Sequence, residues 1–339
     1  MPFLRERSGA KGSPYRWSPE KIAALLLVLL PFALLAVRIL RGDLAATDPL
    51  GLGAPGLGGP GLGGPGLNAG LGPGAAGGLG GGAAGGLGGG PALGARPLVE
   101  TLRFLGDWAV RLLLVTLAVT PARRLFNWPK LLNARRTLGL GAAAVVAVHF
   151  GLYCIDMGSL SVVVREIVLR IYLTIGFVAL LGLLALSSTS WDGAVARLGA
   201  ERWRRLHTLA YPITALAILH FFMQQKLDVT EPTLMAGFFL WLMGWRLLQR
   251  YGHGTGLLAL VLLAVSAGFA TALLEAGWYL AATGIDPKRV LSANLAFGYS
   301  IRPAWWVAGL GVAVALASEA ALRIRPLPAR RARASGAVT

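Results

Sequence analysis

Residues 137–154 read TLGLGAAAVVAVHFGLYC, and residues 203–224 read WRRLHTLAYPITALAILHFFMQ. As helices rising about 1.5 Å per residue, both stretches cross most of a hydrocarbon core of about 30 Å. The first carries His149; the second carries His207 and His220. An imidazole inside a bilayer is costly unless it has a partner, so an ionisable residue there points to function. Histidines on facing helices are how a helical bundle grips a haem iron from both sides.

Composition agrees with a membrane protein. Of 339 residues, 55% are hydrophobic and only 14% charged, where soluble domains carry about a quarter charged residues. The net charge of +17 does not point to nucleic acid, because the Lys and Arg fall in the loops between apolar runs and mark cytoplasmic segments. A single cysteine, Cys154, excludes an internal disulfide and a cysteine metal cluster, and reads as a packed thiol.

Outward from the two stretches, the chain divides into about eight apolar spans. Residues 22–40 form the first, flanked by basic residues on both sides. A signal peptide shares that layout, but the run is long and no small-x-small cleavage site follows at once, so a retained helix is expected. Pro49–Ala95 is uncharged low-complexity sequence holding 23 of the 47 glycines, with Pro-Gly-Leu-Gly-Gly in tandem at 55–59 and 60–64. Such a stretch cannot build a core and reads as a loop or tether. The second span, 98–120, carries Asp107 and Arg111 four residues apart, able to pair on one face, and Pro121 is expected to end it. A basic linker, 122–136, leads to the His149 span. A connection at 156–170 with room for a short interfacial helix precedes the fourth span, 171–187. The fifth, the His207–His220 span, contains Pro212, which predicts a kink. Spans at 233–248, 257–282 and 303–322 follow, with His253 in a polar turn and Glu275 in the seventh. Across eight alternating spans, 21 Lys and Arg fall on one side and about 10 on the other, which places both termini in the cytoplasm and the Gly-rich loop outside. No phosphate-binding glycine fingerprint, Walker loop or C-x-x-C-H motif is present.

This topology puts His149 and His220 at one depth near the outer leaflet, where they can share one iron. His207 lies thirteen residues from His220, about 20 Å along a helix, at the cytoplasmic edge. The histidine absent from the cytoplasmic end of span three is replaced by Arg135 and Arg136, which suit an anionic group: a haem propionate, a flavin phosphate or lipid. The alternative is that each histidine merely hydrogen-bonds across helices. Two at matched depth, with Gly139, Gly141 and Gly151 allowing close approach, favour haem.

Several stretches in a fixed order then carry a resemblance: Thr120-Pro121-Ala122-Arg123; Arg135-Arg136-Thr137-Leu138-Gly139-Leu140 followed by His149; Arg170-Ile171-Tyr172-Leu173-Thr174-Ile175-Gly176; Leu186-Ser187-Ser188-Thr189-Ser190; Leu198-Gly199 with Trp203; Leu206-His207-Thr208-Leu209-Ala210-Tyr211; and His220. Together, over roughly residues 15–250, they resemble MsrQ (YedZ), the family of haem-binding membrane subunits of bacterial methionine sulfoxide reductase systems, within the ferric-reductase-like transmembrane group. The resemblance implies an all-α integral membrane bundle holding haem b, with His149, His207 and His220 at the family's haem-associated positions, and an association with FMN. It implies an electron-transfer subunit of the bacterial inner membrane rather than a catalytic one. Electrons would come from the quinone pool or a cytoplasmic flavin reductase and go to a periplasmic molybdopterin subunit that reduces methionine sulfoxide, the reversible rung of methionine oxidation.

The expected organisation is a cytoplasmic segment 1–21, a first helix 22–41, a periplasmic Gly/Pro-rich loop 42–97, a ferric-reductase-like haem bundle 98–250, two added helices 251–322 and a basic cytoplasmic tail 323–339. The insertion and the last two helices depart from the family pattern. Two rival readings remain: a ferric or oxygen reductase with a separate reductase subunit, and a scaffold or transporter whose histidines only pack. The last predicts hydrophobic repeats relating the two halves, which the sequence lacks.

Overall fold

The computed structural model describes residues 18–41, 97–225, 228–298 and 300–324. The Gly-rich stretch, most of the N-terminal basic segment and the basic tail lie outside the described residues. Among those described there are twelve α-helices and no strand. In chain order they are α1 (Pro19–Arg41), α2 (Pro97–Leu125), α3 (Leu132–Met157), α4 (Leu160–Leu169), α5 (Ile171–Ser188), α6 (Asp192–Leu198), α7 (Ala200–His207), α8 (Ala210–Gln224), α9 (Thr230–Arg250), α10 (Leu257–Thr283), α11 (Pro287–Ala293) and α12 (Pro303–Ile324).

Among the described residues, six segments are long and apolar enough to cross a membrane: α1, α3 with the 3₁₀ turn before it, α5, α7 with α8, α10 and α12. The sequence pattern predicts about eight. The two further spans expected correspond to α2 and α9, which have 29 and 21 residues but carry more charge and are not among the six. Much of that charge is resolved between them. Arg111 of α2 donates to Glu231 of α9 at 2.7 Å, and Arg246 of α9 donates to the Leu117 carbonyl of α2 at 2.8 Å. The expected pairing of Arg111 with Asp107 therefore gives way to a bond between helices, although Asp107 stays within electrostatic reach of both partners.

Helix α2 stands in the middle of the bundle. Leu105 and Leu112 pack with α1, α3, α5 and α8 in one core, while Val110, Leu114 and Leu117 pack with α8, α9, α10 and α12 in another. Outward-facing apolar residues such as Val178 and Leu181 on α5, or Val265 and Phe269 on α10, are exposed over at least half their surface, as a lipid-facing surface requires.

Pro121 does not end α2, which continues to Leu125. Proline has no N–H, so it leaves the Leu117 carbonyl, four residues back, without its helical donor. The Arg246 guanidinium supplies the missing bond while lying 4.9 Å from the centre of the Tyr211 ring. The basic linker is shorter than expected, because α3 begins at Leu132 and takes Arg135 and Arg136 onto its first turns. The break in the fifth span falls at Thr208–Leu209, one turn before Pro212, where the missing proline N–H is felt. Pro212 itself sits in the first turn of α8. The expected interfacial helix is α4. Gly158, at φ 70°, ends α3 in the left-handed conformation that turns the chain into it.

Candidate functional site

His149 of α3 and His220 of α8 are held in the same way from different sides. The His149 Nδ1–H donates to the Leu102 carbonyl of α2 at 2.8 Å. The His220 Nδ1–H donates to the Tyr172 carbonyl of α5 at 2.7 Å. A carbonyl only accepts, so each bond puts the proton on Nδ1 and leaves Nε2 as a lone-pair donor. This is the arrangement in which a metal-binding histidine is oriented by its other nitrogen.

Each ring also lies against a glycine four residues beyond the carbonyl it bonds. A methyl at Gly106 would meet His149 Cε1 at 3.1 Å, and one at Gly176 would meet His220 Nδ1 at 2.7 Å. A helical carbonyl is normally shielded by the side chain one turn on; glycine at that position lets an imidazole reach it. These two glycines are what the sequence reading missed. An isolated glycine in an apolar helix signals close approach, but it does not say of what. Of the glycines expected to open the bundle, Gly139 faces Thr116 of α2 and Gly141 faces Val28 of α1, while Gly151 faces nothing within 4 Å.

His149 and His220 lie within electrostatic reach of one another. The helices that carry them, α3 and α8, are not packed directly on each other; α2 and α5 stand on either side and pack on both. Phe150 and Phe177, next in sequence to His149 and Gly176, meet at 5.9 Å. The donor set is therefore two neutral imidazoles in an apolar frame, from two helices held apart. Residues of that kind fit a planar, bis-histidine iron group.

His207 sits apart, at the end of α7. Its Nε2 lies 3.2 Å from Thr189 Oγ1, and its ring stacks on Trp203 at 4.1 Å. Trp203 in turn donates to the Thr189 carbonyl at 2.9 Å. Arg135 is within electrostatic reach of His207, so these two expected residues do come together. Arg136 does not join them. It pairs with Asp192 of α6 at 2.5 Å on an exposed surface and holds that carboxyl below its ordinary value. Arg205 is engaged with Glu201 at 3.1 Å. His253 is exposed in the α9–α10 turn.

Residues 105–218 match the family described as ferric reductase like transmembrane component. That span begins just before Gly106 and ends two residues short of His220. A curated protein of Xanthomonas campestris pv. campestris (strain 8004), named protein-methionine-sulfoxide reductase heme-binding subunit MsrQ, is 46% identical over 161 residues, 47% of this chain and 73% of that protein. A protein of the same name from Caulobacter vibrioides is 40% identical over 156 residues, 45% of this chain and 74% of that protein. The chain belongs to the MsrQ family. No solved structure matches it. The matched residues span α3, α5, Gly106 and Gly176 and include His149 and His207. Helices α10 to α12 fall outside the matched residues.

Proposed function

We propose that this membrane protein binds haem b between His149 and His220 and serves as the electron-transfer subunit for a methionine sulfoxide reductase catalytic subunit. The observation that carries the proposal is the matched pair of Nδ1–carbonyl bonds over Gly106 and Gly176. They pre-orient two Nε2 lone pairs, whereas His207 has its Nε2 engaged with Thr189. A bound haem supplies one-electron redox chemistry; this chain's residues supply ligation, burial and orientation. No general acid or nucleophile is needed, since the substrate chemistry belongs to the partner.

The arginine-rich end of the bundle, with Arg123, Arg124, Arg135 and Arg136, faces the cytoplasm of a bacterial inner membrane. The histidine pair then lies near the periplasmic face, where a periplasmic partner would accept electrons. The Arg135–His207 corner sits at the cytoplasmic end and suits an anionic group, such as the phosphate of FMN or a second haem's propionate, on the route from a quinone or flavin donor. Residues 98–250 form the redox bundle in this reading and 251–322 its addition, although α9 packs on both α2 and α10.

The test is a reduced-minus-oxidised absorbance spectrum of the purified protein and of His149→Ala, His220→Ala and His207→Ala. Loss of the same haem in the first two, with retention in the third, is expected. Full haem content in either outer variant overturns the ligand assignment.

A further inference from the structure

Helices α9, α10 and α12 pack through small residues: Gly237 against Thr271 and Val307, Gly268 against Ala304 and Ala308, and Gly311 against Ala264. At the end capped by α11, the same end as the histidine pair, this tight unit encloses Glu275, whose relative exposure is 0%. Its Oε2 accepts from Asn294 Nδ2 at 3.2 Å. Its Oε1 lies 3.4 Å from Arg302 Nη1 but receives no hydrogen bond.

The orientation of Asn294 is fixed by its other contacts. Nδ2 also donates to the Val290 carbonyl at 3.1 Å, and the Asn294 backbone carbonyl accepts from Trp305 Nε1 at 2.7 Å. The amide Oδ1, in a residue only 6% exposed, is left without a donor. Thr233 is the third such group. Helices α9 and α10 run antiparallel, with Gly237 opposite Thr271 and the Val229 backbone beside Tyr279. Thr233 and Glu275 lie midway between these two contacts and so at one level. The Thr233 hydroxyl is fully buried and has no partner.

Three polar atoms that receive no hydrogen bond, one of them ion-paired with Arg302, thus lie on three helical segments in one buried layer. Buried polar groups without partners are costly and call for an explanation. Two of these are acceptors, so their occupant must donate. A metal cation is disfavoured by the Arg302 guanidinium already beside the carboxylate. Water, with two donors and two acceptors, suits all three. We infer that Glu275, Asn294 and Thr233 bind ordered water and that Glu275 exchanges a proton through it with the aqueous face at this end.

The approach is marked by Arg302, 29% exposed, and by Asp228, exposed in the α8–α9 loop and within electrostatic reach of Glu275 and Tyr279. Among the described residues, Arg302, Asp228 and Tyr279 are the charged and titratable groups that interact with Glu275. Glu231 of α9 is turned to Arg111, and Lys288 and Arg289 of α11 face outward. In the uptake step a surface hydronium gives up its proton along the water, an O–H bond forms on the Glu275 carboxylate, and water remains; no electron moves. The inference is independent of haem ligation.

The test is infrared spectroscopy of the purified full chain in ordinary and heavy water across the pH range in which it stays folded. A carboxylic C=O band that titrates and shifts on deuteration is expected, absent from Glu275→Gln. Thr233→Val, nearly the same shape without the hydroxyl, should keep the band but slow its deuteration several-fold, with an unchanged melting temperature showing that both variants fold. A spectrum with no such band, a band that survives Glu275→Gln, or Thr233→Val exchanging as the native protein does would each overturn the inference.

Discussion

His149, inside the apolar α3, and His207, at the end of the charged α7, are the same residue in one bundle, yet their surroundings prepare them for different work. His149 is held by a backbone carbonyl on Nδ1, sits against a glycine on the neighbouring helix and keeps Nε2 for another partner. His207 is covered by Trp203 and has its Nε2 against Thr189. The difference lies in which nitrogen is left over after the protein has made its own hydrogen bonds, something depth in the membrane does not specify. His220 sides with His149 on every count, though it comes from the same stretch of sequence as His207.

The sharpest way to break this comparison is the histidine series. His149→Ala and His220→Ala should each abolish the haem absorbance, whereas His207→Ala should leave it present; equal losses in all three would erase the distinction. The next largest effect is expected at the glycines. Gly176→Ala forces a methyl to within 2.7 Å of the His220 ring, and overpacking of this kind costs about 1–3 kcal/mol. Haem content should fall and the midpoint potential should move. Gly106→Ala, at 3.1 Å, should do the same more mildly, and Gly151→Ala, facing open space, should do nothing. If Gly151→Ala matched Gly176→Ala in a redox titration, the glycine cradles would have no special role.

A third prediction concerns the frame rather than the rings. Arg246→Met removes the donor to the Leu117 carbonyl, and an orphaned buried acceptor costs about 1–3 kcal/mol. Thermal unfolding in detergent should report that loss. Pro121→Ala restores a backbone N–H one turn beyond Leu117, so the double variant should be less destabilised than Arg246→Met alone. Strict additivity would show that the guanidinium is not substituting for the proline.

The smallest effect is expected at Arg136–Asp192, an exposed pair of a kind that contributes little. The folded carboxyl titrates below its ordinary value because Arg136 donates to it. Its stabilisation is therefore present above the unfolded pKa and lost as pH falls through the folded one. Asp192→Asn should lower the melting temperature slightly at neutral pH, and the gap from the native protein should close in acid. Haem content should not change; a loss would return Arg136 to the site.

Much of this was legible in the residues themselves. Run length and charge distribution reveal a multi-span helical membrane protein, and the order of short motifs around His149, Gly176, His207 and His220 reveals its family, because both are properties of local sequence. The spacing along the fifth span set His207 apart from His220, since rise per residue is nearly constant, and the folded chain keeps His207 on α7 and His220 on α8. Which groups meet across helices was not legible, because azimuth and register are set by packing. Only the folded chain decided that Gly106 and Gly176 make room for the rings, that Arg111 turns from Asp107 to Glu231, that Arg246 repairs the helix at Pro121, and that Glu275 shares its layer with Asn294 and Thr233.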